Sequence, residues 1–520
     1  IVPNILYALV KDFRQKTLFR KSTPSVSVNK GPKVLFWILD GCNVGAFLEA
    51  AQKNEDLKML FEGGYFARCV TIFPSVTPAA HATLMTGCYP KKTRIPAFDW
   101  VDVTKNYAGT AEYRRYVRIM PDFKRFLQQV SSSTYQKEFF DSLGDALDLN
   151  QRFLSPFANT IFETLKETWY TESIKEWIHR GADNFYGASI NSLLDDLAAQ
   201  NLIQEKTMMD LLAASYKEVS YEFGDTIWGS KDFRKLADLM VYWKSGTDTV
   251  SHEYGPRSDQ LKDEIDEAIG KLADTIKFYK MYTRQPLYVV ITADHSHSEV
   301  TKLADMAEDF KRTFGSRYKV AGREDRADSK AINASDIILA NNDRAAFFSI
   351  FGQPGAKNAI RDEIISYLKK RPETDLILCR DDTIRIIQVH EDGTSTESGN
   401  IDEFFGDKEN LYPNGSERIK GLMEGKNWGD IVISVREGYS LNPDFGPVRA
   451  GEKILHGDHG GLNFSDSVVP FLIWGPTIRA NKKSDTGEMY RTVDIAPTIS
   501  AIFNEEQKGA DGRVIRDIFT

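Results

Sequence analysis

Two apolar runs, far apart in the chain, each end in an aspartate, and this recurrence constrains the fold more than any other feature. Residues 34–39 are uniformly apolar before Asp40, and residues 287–293 are nearly so before Asp294 and His295. Runs of this length without polar alternation are typical of buried strands in a parallel sheet. In open α/β sheets the ends of such strands form the ligand-binding edge. The sequence therefore predicts an α/β fold with these polar residues at one edge of its sheet.

Two further segments place aspartate and histidine in settings that suit metal binding. Asp248 and His252 are four residues apart and share a face if their segment is helical. A later glycine-flanked loop contains His456 and His459, and either imidazole can serve as a ligand. Because the chain has only 8 histidines, their occurrence beside aspartate and glycine favours a role in binding.

Thr77 is the candidate nucleophile. It precedes Pro78 and a run of good helix formers that ends at Gly87, which predicts a helix with Thr77 at the N-cap and the proline at the first helical position. An anion at this end would meet free backbone N–H groups and the positive end of the helix dipole. A hydroxyl there can attack phosphorus if a divalent cation lowers its pKa. Ser75 and Thr71 are rivals, but neither has the proline and helix directly after it.

The ordered motifs resemble the alkaline phosphatase superfamily, specifically its type I phosphodiesterase and nucleotide pyrophosphatase branch, with the related threonine-dependent alkaline phosphatases. The motifs that carry the resemblance span nearly the whole chain, at residues 38–41, 77–87, 89–90, 248–252, 255–256, 292–295, 459–460, 469–470, 474–476 and 492–498. The resemblance implies an alkaline-phosphatase-like α/β sandwich, with a central, mostly parallel sheet flanked by helices.

The resemblance also implies which residues bind metal. It divides six ligand candidates between two divalent metal ions, with Asp248, His252 and His459 for the first ion, and Asp40, Asp294 and His295 for the second. It makes Thr77 both a ligand of the second ion and the nucleophile, which forms a phosphothreonine that water then hydrolyses. The distance from His459 to the pair at 469–470 matches the family, which favours it over His456. Mixed aspartate and histidine ligands suit Zn²⁺ best, with Mn²⁺ next.

Two other histidines lie near the candidate ligands. His81 follows Thr77 by one helical turn, and we expect it to be a packing residue. His297 lies two residues after His295, and we expect it to support a ligand.

The sequence departs from the family at its phosphate-binding asparagine. Nucleotide pyrophosphatases carry this asparagine three residues after the nucleophile, where this chain has Ala80, and the threonine-dependent phosphatases carry it further downstream, where residues 94–100 contain none. Phosphate binding is therefore expected from the backbone, from a basic side chain such as Lys91, Lys92 or Arg94, or from an inserted segment.

The leading function is a metal-dependent hydrolase of small phosphate esters, with diesters preferred to monoesters. Alternatives with the same site are a phosphomonoesterase, a phosphonate hydrolase and a phosphoryl transferase. A non-enzymatic phospholigand binder is disfavoured because no ligand or nucleophile of the motif set is missing. The formal net charge of −8 argues against binding of a nucleic-acid polymer.

The motifs divide the chain into core segments separated by insertions. We predict an extension or linker at 1–32, core segments at 33–103, 237–299 and 429–520, a helical cap at 104–236 and a small α+β lobe at 300–428. Helical spacing of apolar residues occurs at 191–218 and 231–243, and a helix is predicted at 257–280. Strand-like runs occur at 345–351 and 383–389.

The sequence contains no run of about 18 apolar residues, the length that a membrane-spanning helix requires. We therefore expect a soluble protein without a transmembrane segment. The chain begins at Ile1 rather than methionine, which is compatible with removal of an N-terminal segment. The sequence leaves compartment and oligomeric state open.

Overall fold

The computed structural model describes residues 31–105, 112–118, 219–223, 238–282, 284–326, 328–380, 383–425, 428–441, 455–481, 489–507 and 509–520. The predicted extension 1–32 lies almost wholly outside these residues, as does most of the predicted cap 104–236. Of these described residues, those from Pro32 onward belong to one compact unit.

The strands of the described residues are numbered in chain order. They are β1 (Lys33–Leu39), β2 (Tyr65–Val70), β3 (Asp99–Lys105), β4 (Glu112–Arg118), β5 (Val219–Phe223), β6 (Leu239–Lys244), β7 (Leu287–Thr292), β8 (Ser298–Leu303), β9 (Val320–Ala321), β10 (Ile337–Asn342), β11 (Ala345–Ile350), β12 (Thr374–Arg380), β13 (Ile384–Val389), β14 (Ser395–Ser398), β15 (Ile431–Val435), β16 (Gly438–Ser440), β17 (Gly457–Asp458), β18 (Val468–Trp474) and β19 (Met489–Arg491).

The α-helices of the same residues are numbered likewise. They are α1 (Val44–Lys53), α2 (Glu55–Gly63), α3 (Thr77–Thr86), α4 (Pro90–Thr93), α5 (Gly246–Tyr254), α6 (Asp259–Tyr282), α7 (Met306–Phe314), α8 (Ser329–Ala334), α9 (Pro354–Leu368), α10 (Ile401–Phe405), α11 (Gly415–Met423), α12 (Phe464–Ser467) and α13 (Ile495–Ile502). Short 3₁₀ helices occur at Arg323–Asp325, Thr492–Asp494 and Arg516–Ile518.

A central sheet of seven strands positions the candidate site. Its order is β19-β2-β18-β7-β1-β6-β5. Strand β1 pairs in parallel with both β6 and β7, whereas β18 runs antiparallel to β2 and β7. Every side chain of β1 is buried, and because successive side chains point to opposite faces, both faces of the sheet are covered here. The predicted mostly parallel sheet with flanking helices is confirmed.

A second sheet of seven strands forms the lobe, with the order β14-β13-β12-β15-β11-β10-β9. Its pairs are antiparallel except for β9 with β10. The strand-like runs predicted at 345–351 and 383–389 are β11 and β13. A separate apolar cluster that includes Phe310, Phe348 and Ile377 packs this lobe.

Three boundaries or elements differ from the sequence prediction. Strand β15 belongs to the lobe sheet although it follows residue 428, so the lobe extends past its predicted end. Strand β5 falls inside the predicted cap but pairs in parallel with β6 of the central sheet. Residues 239–243, predicted with helical spacing, lie in β6. A short apolar run that is buried on both faces shows no alternation, so periodicity cannot separate strand from helix.

The long helix that the sequence predicted after Asp248 is present. The helix expected at 257–280 is α6, which covers Asp259–Tyr282. It packs with α1 and α2 and contacts β1. In the described part of the chain, no helix combines the length and the apolar character needed to cross a bilayer.

Candidate metal centre

Parallel pairing of β1 and β7 brings two candidate carboxylates to one edge of the sheet. Ile38 of β1 is in register with Thr292 of β7. Asp40 and Asp294 each follow two residues later, and the backbone N–H of Gly41 donates to Oδ1 of Asp294 at 3.2 Å. The predicted strand ends therefore lie together, as the sequence indicated.

The second cluster consists of Asp40, Asp294 and His295. Nε2 of His295 lies 3.4 Å from Oδ1 of Asp40 and 3.4 Å from Oδ2 of Asp294. Neither oxygen has a hydrogen-bond partner in the described part of the chain, although both are buried. The Oγ1 atom of Thr77 lies 3.0 Å from the same nitrogen. Unpartnered buried oxygens beside an imidazole nitrogen fit a divalent cation, which would satisfy all of them.

The first cluster is built around Asp248. Its Oδ1 lies 3.4 Å from Nε2 of His252 and 3.6 Å from Nε2 of His459. Asp248 and His252 lie on α5, one helical turn apart, as predicted. In a tetrahedral zinc site with bonds of about 2.0–2.1 Å, ligand atoms lie about 3.3–3.4 Å from one another. The measured separations therefore suit one cation held by these three residues.

Backbone carbonyls orient the two imidazoles of the first cluster. Nδ1 of His252 lies 2.7 Å from the carbonyl oxygen of Gly457, and Nδ1 of His459 lies 3.0 Å from that of Ser75. If Nδ1 carries the proton, each ring presents the Nε2 lone pair to a cation. His456, the sequence alternative, is exposed and is not part of the cluster.

Electrostatics in the first cluster favour the protonation states that bind metal. Burial raises the pKa of Asp248, but His252 and His297 outweigh it and hold the pKa well below its usual range. Burial and the neighbouring His295 lower the pKa of His459 well below its usual value. Metal ligands must be ionised carboxylates and neutral imidazoles. Both directions therefore match a metal site.

The two carboxylates of the second cluster have opposite shifts. Burial and the charges of Asp294 and Asp248 raise the pKa of Asp40 well above its usual value. Burial also raises the pKa of Asp294, yet His295 and His81 outweigh it, and the net shift is downward. Several buried carboxylates this close together repel one another, and a divalent cation removes that repulsion.

Thr77 begins α3, one residue away from its predicted place. The N-cap is Val76, whose backbone is extended, and the helix runs from Thr77 with Pro78 in its first turn. The threonine hydroxyl contacts His295 instead of capping the backbone. Gly87 ends the helix in the left-handed conformation with φ of 65°, as predicted.

The rival hydroxyls are engaged in backbone hydrogen bonds. Ser75 Oγ donates to the carbonyl oxygen of Gly461 at 3.0 Å and accepts from the N–H of Gly460 at 3.1 Å. Thr71 Oγ1 donates to the carbonyl oxygen of Asp294 at 2.5 Å. Both hydroxyls serve the loops that carry the ligands, so the geometry favours Thr77 as the nucleophile.

Two residues that the sequence did not assign to the site lie near the second cluster. Trp243 was not a candidate, and His81 was expected only to pack. Trp243 Nε1 donates to Oδ2 of Asp40 at 2.8 Å. His81 lies with Nε2 3.5 Å from Oδ2 of Asp294, and its ring meets Trp243 edge-on. Trp243 stands near the end of β6, which runs parallel to β1, and this position was the available signal.

Asp343 and Asp458 lie near the first cluster, although the sequence predicted neither as a site residue. Oδ2 of Asp343 lies 3.9 Å from Nε2 of His459. Asp458 directly precedes that histidine and is fully buried. The sequence around Asp343 indicates only a turn, so nothing in it predicted a position at the metal centre.

Two of the three basic side chains proposed for phosphate binding, Lys91 and Lys92, pair with other residues. Lys91 pairs with Glu424 at 2.8 Å, and Lys92 pairs with Asp511 at 3.0 Å. The stretch that carries the asparagine in related phosphatases does reach the site, because the ring centroids of Phe98 and His459 are 5.9 Å apart. A phenyl ring therefore lies beside the first cluster, in the stretch where an amide was expected.

Comparison with known families agrees with this geometry. The sequence model of the type I phosphodiesterase/nucleotide pyrophosphatase family matches residues 34–462. The chain belongs to this family. The match covers most of the chain and includes all seven candidate site residues. As a member, the protein is a metal-dependent hydrolase of phosphate esters that acts on small phosphorylated substrates.

Individual relatives are distant. The chain is 22% identical to alkaline phosphatase PafA of Elizabethkingia meningoseptica over 89% of each protein. It is 25% identical to alkaline phosphatase PhoV of Synechococcus elongatus over 54% of this chain and 45% of that protein. The structure of murine ectonucleotide pyrophosphatase/phosphodiesterase 5 aligns with a TM-score of 0.50 at 14% identity, covering 94% of this chain and 100% of that one. These neighbours have the alkaline-phosphatase-like fold.

Proposed function

We propose that this family member hydrolyses phosphodiesters through a phosphothreonine on Thr77, with two divalent metal ions, Zn²⁺ in preference to Mn²⁺. The contact that carries the proposal is the 3.0 Å separation between Thr77 Oγ1 and His295 Nε2, at the N-terminus of α3. The rings of His295 and His459 stack with centroids 3.8 Å apart, so the two clusters adjoin. A single phosphate can therefore contact both.

In this proposal Asp248, His252 and His459 would hold the first cation. Asp40, Asp294, His295 and Thr77 would hold the second. When bound, the cations supply positive charge that lowers the pKa of the threonine hydroxyl and stabilises the entering and leaving oxygens. Mixed carboxylate and imidazole ligands at tetrahedral spacing favour zinc.

The reaction proceeds through two displacements. Thr77 Oγ1 gives its proton to solvent and attacks phosphorus, the ester P–O bond breaks, and the departing alkoxide takes a proton from solvent. Water then attacks the phosphothreonine, the bond between phosphorus and Oγ1 breaks, and the threonine hydroxyl is restored. Backbone N–H groups in the first turn of α3 face the phosphate oxygens, because the first N–H groups of a helix lack partners within it.

Two observations support a diester rather than a monoester. A monoester dianion carries more charge on its free oxygens than a diester does, and it gains more from extra hydrogen-bond donors. The phenyl ring of Phe98 stands beside the first cluster, and Lys91 and Lys92 pair elsewhere. A phosphomonoesterase with the same site is the second candidate, since both curated relatives are named alkaline phosphatases.

The first test compares p-nitrophenyl phosphate with bis-p-nitrophenyl phosphate as substrates of the zinc-loaded protein. We expect turnover of both, with the higher kcat/KM for the diester, and loss of at least about a thousandfold in Thr77→Ala. Faster turnover of the monoester would assign the protein to the phosphatases. Full activity in Thr77→Ala would refute the covalent mechanism.

The second test identifies the phosphorylated residue. The protein is quenched in acid during turnover and its peptides are analysed by mass spectrometry. We expect phosphate on Thr77 in the wild type and also in Ser75→Ala, which removes the neighbouring hydroxyl. Phosphate on Ser75 or Thr71 would instead assign the nucleophile to a rival.

A further inference from the structure

A third group of potential ligands lies beside the first cluster, toward the lobe. It consists of Asp343, Asp458 and His459, and one ligand atom from each lies within 4.8 Å of the others. The family motifs include His459 but neither carboxylate. The two aspartates therefore need a separate explanation.

One carboxylate oxygen of Asp458, a member of this group, is buried and, among the described residues, unsatisfied. Its side chain is fully buried, and Oδ2 accepts a hydrogen bond from Ser440 Oγ at 2.5 Å. Oδ1 has no hydrogen-bond partner in the described residues. It lies 3.7 Å from Nδ1 of His252, but that nitrogen contacts the carbonyl oxygen of Gly457 at 2.7 Å. A buried carboxylate oxygen without a donor costs free energy unless a ligand satisfies it.

The backbone holds Asp343 next to the same group. The residue occupies the turn between β10 and β11 and has φ of 58°, a left-handed conformation that aspartate tolerates better than most residues. The N–H of Arg344 donates to the carbonyl oxygen of His459 at 3.0 Å, and the N–H of Leu441 donates to that of Asp343 at 2.8 Å. These bonds dock the turn against the metal-binding loop.

Neither carboxylate has a lysine or arginine ion-pair partner among the described residues. The guanidinium of Arg344 pairs with Asp466 at 3.1 Å, and that of Arg118 pairs with Asp99 at 3.1 Å. Adjacent carboxylates without a cation repel each other, and a divalent cation would relieve that repulsion and satisfy the buried oxygen of Asp458.

We propose that Asp343 and Asp458 bind a third divalent cation, with the oxygen-ligand chemistry of Mg²⁺ or Mn²⁺. Nε2 of His459 has one lone pair, which the first metal ion uses, so the third cation is held by carboxylate oxygens and water. Mg²⁺ typically keeps several waters and binds through one or two carboxylates. The proposal rests on zinc at the two clusters but not on the choice between diester and monoester.

The test titrates Mn²⁺ into the full-length protein already loaded with two equivalents of zinc, and free Mn²⁺ is followed by electron paramagnetic resonance. We expect one bound Mn²⁺ per chain, displaced by excess Mg²⁺, with both zinc ions retained on elemental analysis. Zinc binds such sites more tightly than manganese does, so exchange is disfavoured. Asp343→Asn and Asp458→Asn are expected to weaken Mn²⁺ binding by at least about tenfold and to keep both zinc ions.

The variants are chosen to preserve the fold. Asparagine tolerates the left-handed backbone at position 343, and an amide oxygen at position 458 can still accept from Ser440. Asp392→Asn, in an exposed turn, is the matched control and should bind Mn²⁺ like the wild type. Circular dichroism and zinc content verify folding. If Asp458→Asn does not fold, the test uses Asp343→Asn alone.

Three outcomes would overturn the proposal. The first is that the zinc-loaded wild type binds no Mn²⁺, and the second is that Asp343→Asn binds Mn²⁺ as tightly as the wild type. The third is that the asparagine variants lose a zinc ion but keep the manganese. The last result would show that the two aspartates help to hold the first metal ion and do not bind a third one. Esterase activity of the zinc-loaded wild type is measured separately, so failure of the proposed function is distinguishable.

Discussion

Nε2 of His297 lies 3.0 Å from Oδ1 of Asp248, the same oxygen that faces His252 and His459. The imidazole is buried and packs closely against Gly41, where an added Cβ would lie 2.6 Å from Nε2. Burial is the largest cause that lowers the pKa of His297, to about 3. The ring is therefore neutral and held in place, and it fixes the orientation of the aspartate.

We expect His297→Ala to weaken binding of the first metal ion by about 10–100-fold, because groups that orient a ligand typically contribute this much. Competition with a chromophoric zinc chelator measures the affinity directly, independently of turnover. The second ion should be retained. His456→Ala is the matched control, since this exposed histidine lies outside the cluster. Equal zinc affinity in both variants would contradict a positioning role.

Trp243→Phe should lower kcat/KM by about 10–100-fold. The substitution removes the N–H that donates to Oδ2 of Asp40, and hydrogen bonds to charged groups contribute about 1.5–3 kcal/mol. Trp37→Phe is the control, because Trp37 in β1 donates only to a backbone carbonyl, that of Ala268. That variant should lose stability while it keeps kcat/KM. Similar losses of activity in both would point to a general effect on the sheet.

Phe98→Asn should shift the substrate preference toward monoesters. The substitution introduces an amide donor in the stretch where related phosphatases carry asparagine, beside His459. A new hydrogen bond of about 0.5–1.5 kcal/mol corresponds to about a two- to tenfold rise in the ratio of monoester to diester kcat/KM. Phe98→Leu removes the ring without adding a donor and should leave the ratio unchanged. An equal shift in both variants would assign the effect to loss of the phenyl group.

Because Asp375 is buried, we expect the free energy of unfolding to depend on pH in a specific way. Burial raises its pKa to about 6 from 3.8, although Tyr412 donates to its Oδ2. Because the folded-state pKa is raised, the stabilisation is fully present below the unfolded-state pKa and is lost as the pH rises through about 6. Asp375→Asn stays neutral and keeps the acceptor, so it should gain up to about 3 kcal/mol over the wild type between about pH 4 and 7.5.

Urea unfolding of both proteins with identical zinc concentrations measures this difference. The metal contribution cancels because each comparison is made at one pH. A difference that stays constant across the pH range would show that the carboxyl does not titrate on unfolding as predicted.

The elements that the sequence predicted best are those whose local pattern is compatible with only one type of secondary structure. The runs before Asp40 and Asp294 are long, apolar and bounded, and buried parallel strands explain both. Asp248 and His252 share a face in any helix, and α5 is helical. The local sequence pattern therefore predicted the strands and the helix that carry these candidate ligands.

The features that sequence reasoning missed depend on tertiary contacts. Asp343 reaches the first cluster only because the β10–β11 turn docks on the loop that carries His459. Strand β15 pairs between β11 and β12, and no local pattern reveals that a later strand inserts between earlier ones. Thr77 is helical rather than an N-cap, and its hydroxyl faces His295, a partner remote in sequence.

The dispersed origin of the ligands has a consequence for how the protein matures. The first cluster needs α5 and the β17 loop, and the second needs the ends of β1 and β7 together with the start of α3. An incompletely folded chain therefore offers no complete candidate site, and we expect tight cation uptake to follow docking of the β17 loop on α5 and of α3 on the ends of β1 and β7. Binding energy then goes almost entirely to the finished conformation. We therefore expect the metal affinity of a chain to report whether its non-local contacts, the slowest to form, are in place.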